Sequence, residues 1–253
     1  MHTRIIPVLT FKDQRMMKTI NFDNYYDVGD PVTTGKFYDS QDVDELVLLD
    51  IAATQEKREP DYDLIRNFSN ECMMPLTVGG GVRDIDTINK LLQAGADKII
   101  INSFAIESPE FITQASDVFG SQCIVVSVDS KKDQTGEYFV FTEGGNKDTR
   151  IKVKDWVKEA EKRGAGEILI NSIDRDGLMI GYDSDLIKLA VDSVEFIPII
   201  ALGGAGVLQD IVDIYYEASP SAIAMSSIFH FTDNKPVKAN AYAIENGINA
   251  RSI

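Results

Sequence analysis

The chain has 253 residues, 44% of them hydrophobic, which is enough for one large domain with a sizeable core. A formal net charge of −15 and a pI near 4.5 argue against nucleic acid and against an anionic membrane surface, since both need a basic footprint. Cys72 and Cys123 adjoin apolar residues and lack metal-ligand spacing, and no apolar stretch reaches transmembrane or leader length. The expectation is a cytoplasmic protein with reduced thiols, no membrane contact, no metal and no organic cofactor.

In chain order, short β-branched runs predict strands over 5–9, 45–50, 76–78, 98–102, 124–129, 167–172, 197–201 and 222–226. Helical periodicity falls between them, over 31–39, 63–70, 84–94, 109–119, 153–163, 184–191, 208–216 and 237–245. Strands that are almost continuously apolar belong in a parallel sheet covered on both faces. The pattern predicts the α/β class and a single (β/α)8 TIM barrel over 1–253, with a doubly wound open sheet as the competing arrangement.

Two connections are long, 11–30 after the first strand and 130–152 after the fifth. Loops that follow strands lie on the catalytic face of a barrel, so both should border the active site. The first is expected to be a mobile lid, the second a hairpin around Glu143-Gly-Gly145.

The second half also repeats the layout of the first. Pro75–Gly81 is answered by Pro198–Gly204, 96–103 by 219–227, and Arg4–Thr10 by Cys123–Asp129, which predicts half-barrels of about 1–121 and 122–253. Gly80 and Gly81, then Gly203 and Gly204, follow strands directly, where backbone N–H groups can approach an anion. Asn102, Ser103, Ser226 and Ser227 end neighbouring strands, and Asp174–Gly177, with Asp176 and Gly177, adds a tight turn. One glycine pair alone is more often a simple turn. Two in register point to capacity for two phosphates on a phosphorylated small molecule.

Further runs carry a family resemblance: Arg4-Ile-Ile-Pro7, Asn21-Phe22, Gly29-Asp-Pro31, Asp44–Asp50, Leu76–Gly81, Phe119–Gln122, Gly164–Ile168, Ser172–Gly177, Gly203–Gly206 and Ile228-Phe-His230. On them the chain resembles, over nearly its full length, the cyclase subunit of imidazole glycerol phosphate synthase. That family is a (β/α)8 barrel receiving ammonia from a glutaminase subunit docked at the N-terminal face of its strands. The resemblance implies an ammonia entrance ringed by Arg4, Glu45, Lys98 and Glu167, with Asp97 facing the partner. Solvated charges at strand starts are common, but alternating signs around a narrow mouth can pair, exclude ions and open for neutral ammonia.

The resemblance also exposes a departure. The family uses two aspartates, at the tops of strands one and five, as general acid and base. Asp129 matches the second, and Thr10 stands where the first would be. A hydroxyl cannot ionise usefully near neutrality, and neighbouring Asp13 matches an ordinary loop residue. Lys18, used by the family in the first loop, is retained. Gln14 and Thr19 replace loop glycines, which stiffens the hinges, while Asn171 and Leu202 replace a threonine and a serine of the substrate site.

This pattern, with 59–62, 71–75 and 171–174, is similar to a divergent branch associated with bacterial surface-polysaccharide synthesis. There a cyclase-like barrel and a glutaminase-like subunit supply ammonia to an ATP-dependent amidotransferase, which turns an acetamido sugar into an acetamidino sugar. The expected role is therefore an ammonia-channelling subunit of such a complex; the chain has no G-x-x-x-x-G-K-[ST] run of its own. The alternatives are a working cyclase, making imidazole glycerol phosphate and AICAR from the PRFAR bisphosphate, and a non-catalytic scaffold that activates a glutaminase.

Overall fold

The computed structural model describes residues 2–251. β1 (Arg4–Lys12) continues into an antiparallel ribbon of β2 (Arg15–Ile20) and β3 (Asp23–Gly29), and α1 (Pro31–Asp39) follows. The chain then alternates through β4 (Leu46–Asp50), α2 (Tyr62–Glu71), β5 (Leu76–Gly79), α3 (Ile85–Gln93), β6 (Lys98–Ile101), α4 (Ser103–Glu107) and α5 (Glu110–Phe119). The second half holds β7 (Ile124–Lys132), a hairpin of β8 (Tyr138–Thr142) and β9 (Lys147–Lys152), and α6 (Val153–Lys162). It closes with β10 (Glu167–Ser172), α7 (Ser184–Val191), β11 (Ile199–Leu202), α8 (Gln209–Ala218), β12 (Ala222–Met225), α9 (Ser227–Phe231) and α10 (Pro236–Glu245).

Parallel pairing runs β4–β5–β6–β7–β10–β11–β12, and β1 joins β12 to β4. The ring is closed, so the fold is a (β/α)8 barrel; the open doubly wound sheet would leave edges that this pairing abolishes. Aspartates start four of the surrounding helices: Asp30, Asp61, Asp84 and Asp183 accept from the N–H groups of Thr33, Leu64, Thr87 and Leu186. Each satisfies a donor that the first helical turn would otherwise leave unpaired.

Strand periodicity positions the site. Along β1, Ile5 and Leu9 pack outward against the helices, while Ile6 and Val8 enter the barrel interior. The inward parity therefore includes Arg4 below and Thr10 above. The same count places Glu45, Val47 and Leu49 in one inward column, Lys98, Ile100 and Asn102 in another, and Glu167, Leu169 and Asn171 in a third. Each column is charged at the bottom, apolar in the middle and ends in Leu49, Asn102 or Asn171 at the top. Ala222 and Ala224 keep one wall of the interior small.

Two features differ from the sequence expectation. Helices α4 and α9 follow β6 and β12 where no helix is predicted, because five residues are too few to show a period. The expected lid is a folded ribbon. Its turns sit at Asp13–Gln14 (φ 51° and 60°) and Asn21–Phe22 (φ 51° and 66°), the doubly left-handed two-residue geometry that fits a twisted hairpin. The other long connection is a hairpin turning at Glu143–Gly145, as predicted.

Candidate active site and charged ring

At the N-terminal mouth four side chains form a closed ring. Arg4 Nη1 lies 2.6 Å from Glu45 Oε2, and Arg4 Nη2 lies 3.0 Å from Glu167 Oε1. Lys98 Nζ completes it at 2.9 Å from Glu45 and 3.2 Å from Glu167. The Thr77 hydroxyl donates to the free oxygen of Glu45. Burial pushes the Glu45 carboxyl up, but Lys98 and Arg4 outweigh it and the net shift is downward. Burial likewise opposes charge on Arg4, and Glu167 with Glu45 reverses it, raising that pKa. Nearby Asp97 spends one oxygen on the Leu76 N–H, at 2.8 Å.

At the opposite mouth lies a cavity of about 500 Å³. Its floor is the apolar interior itself, through Val8, Leu49, Ile100, Leu169 and Leu202. Above that floor sits Asp129, held by Asn102 Nδ2 at 2.6 Å and Asn171 Nδ2 at 3.4 Å. Burial pushes its carboxyl up to about 7, against both amides. A group poised there can accept and return a proton at neutral pH. Across the cavity, the Thr10 hydroxyl donates to the Met17 carbonyl, which commits its proton to the ribbon backbone.

The cavity gathers nine of the predicted top-face residues: Thr10, Lys18, Gly80, Gly81, Asn102, Ser103, Asp129, Asp176 and Ser226. Gly177, Gly203, Gly204 and Ser227 lie outside its walls. Lys18 and Asp176, both expected to hold substrate, line the cavity and pair with each other at 3.1 Å, with the Thr19 hydroxyl 3.3 Å from the same carboxylate. A β-carbon on Gly177 would stand 2.2 Å from the Thr19 carbonyl oxygen, so glycine lets the ribbon lie on this turn. Gly80 plays the equivalent part in the first half, where a β-carbon would meet the Asp50 carbonyl oxygen at 2.1 Å. His230 lies behind the lysine; burial, Lys18 and Lys235 push its imidazole down to about 4, so it is neutral at pH 7.

Sequence reasoning missed several wall residues. Phe22 and Tyr25 come from the ribbon, while Lys57 and Arg83 come from the loops after β4 and β5. Asp50 is clamped by Arg58 at 2.6 and 2.9 Å. Asp50 ends an apolar run and was legible as a strand top; the two cations sit in loops with no periodic signal. Among the described residues, Asn102 Oδ1, Asn171 Oδ1 and Ser226 Oγ are buried without a hydrogen-bond partner.

A closed ring of parallel strands, with paired charges at one mouth and a buried carboxyl at the other, defines the (β/α)8-barrel class of protein. The chain belongs to the histidine biosynthesis protein family, whose model matches residues 4–235, and within it to the HisF-like cyclases. It is 44% identical to the imidazole glycerol phosphate synthase subunit HisF of Streptococcus mutans over 248 residues, 98% of each chain. The same-named subunit of Natranaerobius thermophilus is 45% identical, again over 98% of each. That of Thermotoga sp. strain RQ2 is 44% identical over 98% of this chain and 97% of its own. No helix among the described residues is long and apolar enough to cross a membrane.

Proposed function

We propose that this barrel is the ammonia-conducting subunit of a glutamine amidotransferase complex. A glutaminase docked over Arg4, Glu45, Lys98 and Glu167 would release ammonia at the ring. The ring excludes ions while its four contacts hold, and the apolar interior favours neutral NH3 over ammonium. Ammonia then reaches the cavity between Thr10 and Asp129, where Asp129 orients it or takes up a proton. The glycine turns are read as anion cradles for a phosphorylated ligand.

For the acceptor we favour an acetamido sugar of surface-polysaccharide synthesis, activated by ATP on a third protein. One observation carries this choice: Thr10, at the strand top where a second carboxylate would be needed, spends its hydroxyl on the Met17 carbonyl and cannot act as the acid or base beside Asp129. Ring closure needs an acid and a base, and losing one such group costs about 10²–10⁴ in rate. Deleting the gene is expected to abolish the amidino sugar while growth without histidine continues.

A second reading is the cyclase reaction of histidine biosynthesis, with Asp129 and water performing both proton transfers. The names of the relatives, at 44–45% identity, support it better than they support the sugar. Complementation of a histidine auxotroph, or turnover of the PRFAR bisphosphate with ammonium salt, would establish this second reading and sink the first. If the wild type is inert there and Thr10→Asp gains activity, divergence is located at that strand top.

A further inference from the structure

The N-terminal face carries two apolar side chains that the charged ring does not explain. Met73 is 86% exposed and Phe196 88%, the highest values for large hydrophobic residues among those described. Met73 stands two residues before Pro75 and Phe196 two residues before Pro198, the prolines that open the repeated runs. They precede β5 and β11, which are separated by β6, β7 and β10 one way round the barrel and by β12, β1 and β4 the other. The two side chains therefore flank the mouth from opposite sides, with Arg4, Glu45, Lys98 and Glu167 between them.

Each is mounted on a turn that a carboxylate from a neighbouring helix holds in place. Asp39 Oδ1, at the end of α1, accepts from the N–H groups of Met73 and Met74 at 3.1 and 2.9 Å. Glu161 Oε1, in α6, accepts from those of Glu195, Phe196 and Ile197 at 3.1, 2.7 and 3.0 Å. Turns fixed in this way lose little backbone freedom when something binds them, and methionine and aromatic side chains are the types enriched at protein interfaces.

Charge selects what covers this face. Asp42, Asp97, Asp192 and Glu195 are exposed on its turns. Of the cations nearby, Arg163 is held by Glu159 at 2.6 Å, Lys36 by Glu71 at 2.6 Å, and Arg251 lies 3.9 Å from Asp44, which leaves Lys162. A second copy of this chain would bring two acidic rims together, whereas a basic surface would meet the rim favourably.

We infer that Met73 and Phe196 are the two anchors of the glutaminase seat: the partner straddles the ring and takes each side chain into an apolar pocket bordered by Lys or Arg. Anchors on opposite sides hold the partner's outlet over the centre of the mouth, where a one-sided contact would let it tilt. The inference deepens the proposed function and rests on its reading that a glutaminase docks over the ring. It also gives the 71–75 run, set apart in the sequence, a part in choosing the partner.

The full chain is co-expressed with each glutaminase subunit encoded in its genome, and the pair that co-purifies is measured by calorimetry. Met73→Asp and Phe196→Asp are each expected to weaken the complex about tenfold or more, with thermal unfolding of the free chain unchanged because both side chains lie in solvent. Ile180→Asp, an equally exposed apolar position at the opposite mouth, should change affinity less than about twofold. Raising salt from about 0.05 to 0.5 M should weaken the wild-type complex several-fold, as acidic and basic rims are screened. Unchanged affinity in either anchor variant, or no salt dependence, would overturn the inference and leave glutaminase docking standing. Self-association of the free chain that Phe196→Asp abolishes would also overturn it, in favour of a second copy. No complex with any glutaminase would overturn both the inference and the docking it rests on.

Discussion

Both ends of this barrel bury a carboxyl group, and they treat it oppositely. Glu45 at the bottom is 3% exposed and Asp129 at the top 8% exposed, so the desolvation each suffers is comparable in kind. Glu45 has two cations within 2.9 Å and its pKa falls; Asp129 has two neutral amides and its pKa climbs to about 7. Burial alone does not decide what a carboxyl does. A paired one makes a charged plug, while an unpaired one makes a group that trades protons near neutrality.

The contrast extends to pH-dependent stability. Glu45, with a depressed folded pKa, contributes stability that is present above its unfolded pKa and is lost as the pH falls through the folded one. Asp129, with a raised folded pKa, does the reverse: between about 4 and 7 the folded chain holds a proton the unfolded chain has released, so stability declines as the pH rises through that window.

The largest way to break this comparison is Arg4→Ala/Lys98→Ala, which leaves Glu45 buried with only the Thr77 hydroxyl. Urea unfolding at pH 7 should show a loss of about 3–5 kcal/mol, shrinking at pH 4 as Glu45 takes a proton. An undiminished loss at low pH would contradict the pairing argument. Asp129→Asn comes next: product formation in the reconstituted complex at pH 7 should drop about 100-fold. The same variant should be more stable than wild type, by a margin that widens from pH 4 to pH 7 and then levels.

A smaller effect separates the two amides. Asn102→Ala removes the 2.6 Å donor and should raise the Asp129 pKa by about one unit, seen as a shifted pH–rate profile; Asn171→Ala, removing a 3.4 Å contact, should move it less. Equal shifts would mean the geometry misassigns the dominant donor. Smallest of all is Gln14→Gly in the first ribbon turn. At φ 60° the glutamine is strained, so thermal unfolding should show a gain of about 0.5–1 kcal/mol with both mouths unaffected.

Much of this was written in the order of residues. Continuous apolar runs between helical stretches specified eight strand–helix units, and the period-two alternation from Arg4 to Thr10 already put a charge and a hydroxyl on one inward face. The departure at Thr10, the surviving Asp129 and the four ring charges were legible only through the resemblance to the family; counting along the strands places them at strand ends. What the tertiary structure alone decided concerns partners distant in the chain. The Lys18–Asp176 pair spans 158 residues and the Asn102–Asp129 bond 27, and no local pattern announces either. That pairing joins two expected substrate ligands across the top of the barrel. Sequence sets which groups face the interior, because side-chain direction is a local property of strands. Only closure of the barrel sets which of them are neutralised, because charge pairing depends on distances through space.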